Sequence, residues 1–164
     1  MNYTILMGKI SETIKLEMES VYKMLKDAVS KIEGDFWKEK KNKWMYGYIL
    51  FHAIEAIEYY MSDSKDDWTP LCDVSANSEE IETNTIRTRD KQFFENYLSE
   101  VETKTFDILT KLSDEDILEN DGFSERGFIS RLHKFSYVIR HTMVHVGELS
   151  KTTRDNNMKG IRWE

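Results

Sequence analysis

Apolar residues return every three or four positions at Ile10, Ile14, Met18, Val21, Leu25, Val29 and Ile32, with lysine, glutamate and serine between them. At about 100° per residue, that period gathers the apolar side chains on one stripe of an α-helix. It predicts a long first helix ending near Gly34. The run Lys38-Glu39-Lys40-Lys41-Asn42-Lys43 follows and reads as a solvated loop, because no aromatic or glycine pattern there suggests a ligand. From Trp44 to Met61 the character changes: Met45, Tyr48, Ile49, Phe51, Ala53, Ile54, Ala56, Ile57, Tyr59 and Tyr60 leave few polar positions, which predicts a largely buried second helix.

Between Ser62 and about Thr88 the chain turns polar around Trp68-Thr69-Pro70, with no apolar period, and reads as a long connection. A third amphipathic helix is marked by Phe94, Leu98, Val101, Thr105, Ile108 and Leu112. An acidic link, Ser113-Asp114-Glu115-Asp116, closes it with the residues of a capping box. After Gly122 a last helix is expected from about Ser124 to Asn156, on Phe128, Ile129, Leu132, Phe135, Val138, Ile139, Met143, Val146 and Leu149. Four helices, one long connection between the second and third, and no strand run describe an all-α four-helix bundle.

Composition narrows this further. The 164 residues fit one domain spanning 1–164, and 40% hydrophobic content supplies a core. Seven glycines and one proline are too few for a turn-rich sheet protein or a phosphate-cradling loop. With 23 basic and 30 acidic side chains the net charge is -7, which disfavours nucleic acid and anionic membrane surfaces as partners. Cys72 is the single cysteine, so no internal disulfide and no cysteine-type zinc cluster can form. No leader pattern opens the chain and no stretch approaches the ~18 apolar residues of a membrane span, so a cytoplasmic location is expected.

The chemistry lies in the histidines. His141 and His145 stand four apart, which places them on one helix face about 40° and 6 Å apart, within reach of one metal ion. His52 sits in the middle of the apolar second helix, where an imidazole without a partner is costly to bury. Three neutral imidazoles from two helices form a half-shell that leaves coordination positions open. The residues fit equally a second reading, in which each is a core histidine bonded to a tyrosine or a carbonyl. His133, eight residues before His141, lies about 12 Å along the helix and belongs to structure or surface. Helical spacing places Tyr48 and Glu55 beside His52, and Tyr137 and Glu148 beside His141, as pocket residues or as groups orienting an imidazole. Cys72 reads as an incidental thiol. A di-iron carboxylate site is excluded: His52-Ala53-Ile54-Glu55 has the reverse order of the Glu-x-x-His motif, and neither His141 nor His145 has a glutamate three residues before it.

A histidine in a mostly apolar second helix, a long crossover, and the run Ile139-Arg140-His141-Thr142-Met143-Val144-His145-Val146-Gly147-Glu148-Leu149 together resemble the DinB/YfiT-like family of four-helix proteins. The matching residues are His52, His141, His145 and Gly147. Glu148 departs from the commoner pattern, in which a glutamine often follows the glycine. The resemblance implies an up-down-down-up bundle, three histidines on a divalent metal such as nickel or zinc, and often a homodimer. It also implies, for some relatives, transfer of a low-molecular-weight thiol such as bacillithiol or mycothiol to a small electrophilic substrate through a metal-bound thiolate. The expectation is therefore a metal-dependent enzyme of this type, the alternative being a non-catalytic metal-binding or stress-associated dimeric interaction protein. The second helix has more apolar surface than one neighbouring pair can cover, so a two-fold homodimer is expected to bury the rest; a one-chain species would instead make the connection, anchored by Trp68 and Leu71, the cover.

Overall fold

In a computed structural model describing residues 8–40, 44–74 and 79–164, the apolar stripes become four long helices. The N-terminal residues 1–7, the end of the basic run at 41–43, and 75–78 of the connection lie outside the described residues. The first long helix, α1 (Lys9–Ser30), buries Ile14, Met18, Val21, Leu25 and Val29, and the hydroxyl of its buried Tyr22 lies 2.7 Å from Thr105 Oγ1. The second is α2 (Tyr46–Tyr60); α3 (Glu79–Arg87) is short, α4 (Lys91–Leu109) long, α5 (Asp114–Leu118) a single turn, and α6 (Arg131–Asp155) the last and longest. Both α1 and α2 pack against α4 and α6, so the core lies among these four. Among the described residues no helix is long and apolar enough to cross a membrane.

Side chains fix the starts of α1, α4, α5 and α6. Asp90 caps α4 through Phe93 N, Ser130 caps α6 through His133 N, and Ser113 with Asp116 forms the expected capping box on α5. The cap of α1 comes from far along the chain: Asp114 accepts from Ile10 N at 3.2 Å and Ser11 N at 2.9 Å. Its carboxylate lies so close to Gly8 that a Cβ there would fall 2.1 Å from Asp114 Cγ, so this long-range cap requires a glycine.

Two expectations are corrected. The connection is not helix-free, because α3 forms within it. Its Ile86 is fully buried against the face of α2 left bare by Gly47, so docking rather than an apolar period stabilises this helix. The last helix starts at Arg131 rather than Ser124: residues Ser124–Arg126 make one 3₁₀ turn, Gly127 takes φ +82, and Ser130 restarts the chain as an N-cap. Ile129, counted on the helix stripe, is instead exposed in that link.

The surface of α2 is covered within the chain by α3, α4, α6 and the 3₁₀ turn Phe36–Lys38. The connection adds to that cover through Trp68, whose ring lies 5.1 Å from that of Tyr59. Leu71 anchors through its backbone, its N–H donating to the fully buried Glu58 at 2.7 Å, while its side chain is exposed. Glu58 also accepts from Tyr97 Oη at 2.6 Å. Across the other end of the connection, buried Lys134 donates to Ser62 O at 3.0 Å and pairs with Asp121.

Candidate metal centre

The middle of α2 faces the middle of α6, and the register brings His52, His141 and His145 together. Each offers a ring nitrogen, and these three atoms all lie within 4.8 Å of one another. Among the described residues it is the one group of histidine, cysteine or carboxylate donors gathered this closely. Nε2 of His141 and Nε2 of His145 are 3.3 Å apart, and the His52 ring stands edge-on to both, with centroids at 5.3 and 5.1 Å.

The surroundings favour neutral rings. Burial, together with His145 and His141 beside it, pushes the pKa of His52 down to about 4. Burial and then His145 push His141 down as well. Glu148 Oε2 lies 2.8 Å from His145 Nδ1; accepting there places the proton on Nδ1 and leaves a lone pair on Nε2, the nitrogen turned toward His141. These are features of a cation held by imidazoles: His52 and His141 kept uncharged, three ring nitrogens that converge, and a carboxylate behind His145. The buried His141 Nδ1 has no hydrogen-bond partner, so this nitrogen does not make the tyrosine or carbonyl bond that a purely structural histidine would use.

The flanking residues fall in two groups. Tyr48 stacks nearly parallel on His52 at 6.2 Å and is itself stacked on Trp44 at 5.3 Å. These two rings, with Ile49, His52, His145 and Glu148, line a small cavity of about 140 Å³. On the other side, Tyr137 stacks on His141 at 5.6 Å. A larger cavity of about 510 Å³ opens there, lined among others by His52, Glu55, Tyr59, Trp68, Arg126 and His141. Burial raises the pKa of both Tyr59 and Tyr137, so their hydroxyls keep their protons at neutral pH.

His133 is exposed at the start of α6, packed on Phe128 at 5.4 Å and outside the cluster. Cys72 lines neither cavity. Sequence spacing found the three histidines, Tyr48, Glu55, Tyr137 and Glu148, but it missed Tyr59, Trp68, Glu82 and Arg126, which line the larger cavity. Tyr59 carried a weak signal as part of the apolar second helix. The sequence marks Trp68 as an anchor of the connection over the second helix but not as a site residue, and Glu82 and Arg126 carried no signal, since they reach the site through the connection and the turn before α6.

Compared with known families, curated proteins and solved structures, the chain has no significant match.

Proposed function

We propose that this protein is a metal-dependent enzyme of the DinB/YfiT-like type, with an up-down-down-up bundle and one divalent cation, nickel or zinc, on His52, His141 and His145. The reading rests above all on the convergence of three imidazoles, with ring nitrogens within 4.8 Å of one another, two of which, His52 and His141, line the 510 Å³ cavity. Three protein ligands leave positions for a reactant, as catalytic rather than structural sites do. A bound divalent cation supplies Lewis acidity, which lowers the pKa of a thiol or water placed beside it. The remaining work falls to the chain: Glu148 orients His145, the packed rings of Tyr48 and Tyr137 fix His52 and His141, and the larger cavity holds a small substrate.

Within this reading the reaction is transfer of a low-molecular-weight thiol, such as bacillithiol or mycothiol, to an electrophile. Pairing of two copies is proposed on the family resemblance alone, because α2 is already covered within the chain. Elemental analysis of protein purified without a chelating column, followed by a thiol-conjugation assay with added metal, tests the function. One divalent ion per chain with metal-dependent conjugation is expected. Stoichiometric metal without any conjugation would turn the reading toward a non-catalytic metal-binding protein, and no metal uptake would end both.

A further inference from the structure

The larger cavity has a second polar centre away from the histidines, built around Tyr59. The indole ring of Trp68 stands edge-on to Tyr59 at 5.1 Å, and the Arg126 guanidinium carbon lies 5.2 Å from the Tyr59 ring centroid. All three residues line the cavity. Trp68 Nε1 is buried and has no hydrogen-bond partner, and the buried Tyr59 Oη has only the Arg126 guanidinium beside it, which leaves its own proton undonated. Arg126 Nη1 donates to Tyr60 Oη at 3.1 Å, which uses one of five N–H donors.

An indole N–H and a guanidinium can only donate, and a protonated phenol donates readily. Buried donors left unmade are expensive, so two of them on packed neighbouring residues that line one cavity call for an acceptor from outside the chain. A cation beside them makes that acceptor an anion, and the planar fork of arginine matches a carboxylate. Two further side chains limit its charge, because Glu55 and Glu82 line the same cavity. A dianionic group such as a phosphonate would meet their like charge, whereas a single carboxylate answers the arginine without a second negative charge.

We propose that Tyr59, Trp68 and Arg126 anchor the carboxylate of a monocarboxylate substrate, whose remaining length lies along the cavity toward His52 and His141. This deepens the proposed function and rests on it only for what happens at the histidines; the anchor needs no metal. It also gives the connection a role, since Trp68 is the residue by which that segment enters the site.

The test uses the full chain stripped of metal, with binding of 3-phenylpropionate, 3-phenylpropan-1-ol and 2-phenylethylphosphonate measured by calorimetry. The carboxylate is expected to bind about tenfold or more tighter than the neutral alcohol, and tighter than the phosphonate. Arg126→Gln should remove that preference, and Trp68→Phe and Tyr59→Phe should each weaken the carboxylate several-fold. Tyr59→Phe deletes only a hydroxyl and should leave the melting temperature unchanged, whereas Trp68→Phe also thins the ring packed on Tyr59 and Arg126→Gln removes the bond to Tyr60, so for these two the carboxylate-to-alcohol binding ratio is the readout. Equal binding of carboxylate and alcohol, or Arg126→Gln without effect, overturns the anchor. Carboxylate binding that appears only with metal and ignores Arg126 overturns the anchor and leaves the metal reading standing. Arg126-dependent binding in a protein that takes up no metal does the reverse.

Discussion

Glu58 and His52 occupy the same helix six residues apart, and the two positions show how a buried polar group becomes structural or functional. Glu58 is fully buried with both carboxylate oxygens engaged, one by Leu71 N and the other by Tyr97 Oη. Lys134 on α6 is its counterpart, bonded to Ser62 O and paired with Asp121. His52 instead meets two more imidazoles at a cavity wall, and His141 Nδ1 and Trp68 Nε1 stay without partners. Polar groups that the chain completes by itself hold the fold together. Those it gathers and leaves incomplete mark the place where something else binds.

The sharpest way to break this comparison is to remove one imidazole. His145→Ala should abolish high-affinity metal binding, by well over 100-fold in calorimetry, while His133→Ala leaves it nearly unchanged. Equal loss in both would mean that the cluster is not the site. On the closed side, Lys134→Met should leave the buried Asp121 only the more distant Arg131, at 3.8 Å, and lower stability by up to about 3–5 kcal/mol in urea unfolding, with metal affinity of the folded protein unaltered. Glu148→Gln sits between these cases. Loss of the carboxylate behind His145 should weaken metal binding about 10- to 100-fold without a comparable drop in unfolding stability.

Acid should separate the regions as well. The folded-state pKa of His52 lies near 4 against an ordinary 6.5, so between those values the unfolded chain binds more protons and stability falls as pH falls. His141 adds in the same direction. Metal-free protein should therefore lose about 1–3 kcal/mol between pH 7 and pH 4.5 through these groups, and the loss should shrink in His52→Phe. The smallest effect is expected at Gly147. A Cβ there would meet nothing within 4 Å, so Gly147→Ala should raise stability by about 1 kcal/mol or less, read as a higher melting temperature. A fall instead would show that another chain packs against this face of α6.

The long helices were legible because their signal is local. The stripe from Ile14 to Val29, the apolar run of α2 and the capping box at Ser113 each lie within a few turns of sequence, and all three recur in the structure. His141 and His145 were legible for the same reason, since helical rise alone puts them on one face. What the sequence determined was thus a set of helices, their faces and the candidate ligands on them. The fold alone decided what depends on distant partners. Such are the docking of α3 by Ile86, the cap of α1 by Asp114 from 103 residues away, and the break at Gly127 that moved Ile129 off the last helix. The cavity was decided in the same way: Trp68, Glu82 and Arg126 come from segments with no period to read, and they meet Tyr59 and the histidines only because α2 and α6 pack with their middles facing. Periodicity encodes which face of a helix is buried; it does not encode what arrives to bury it.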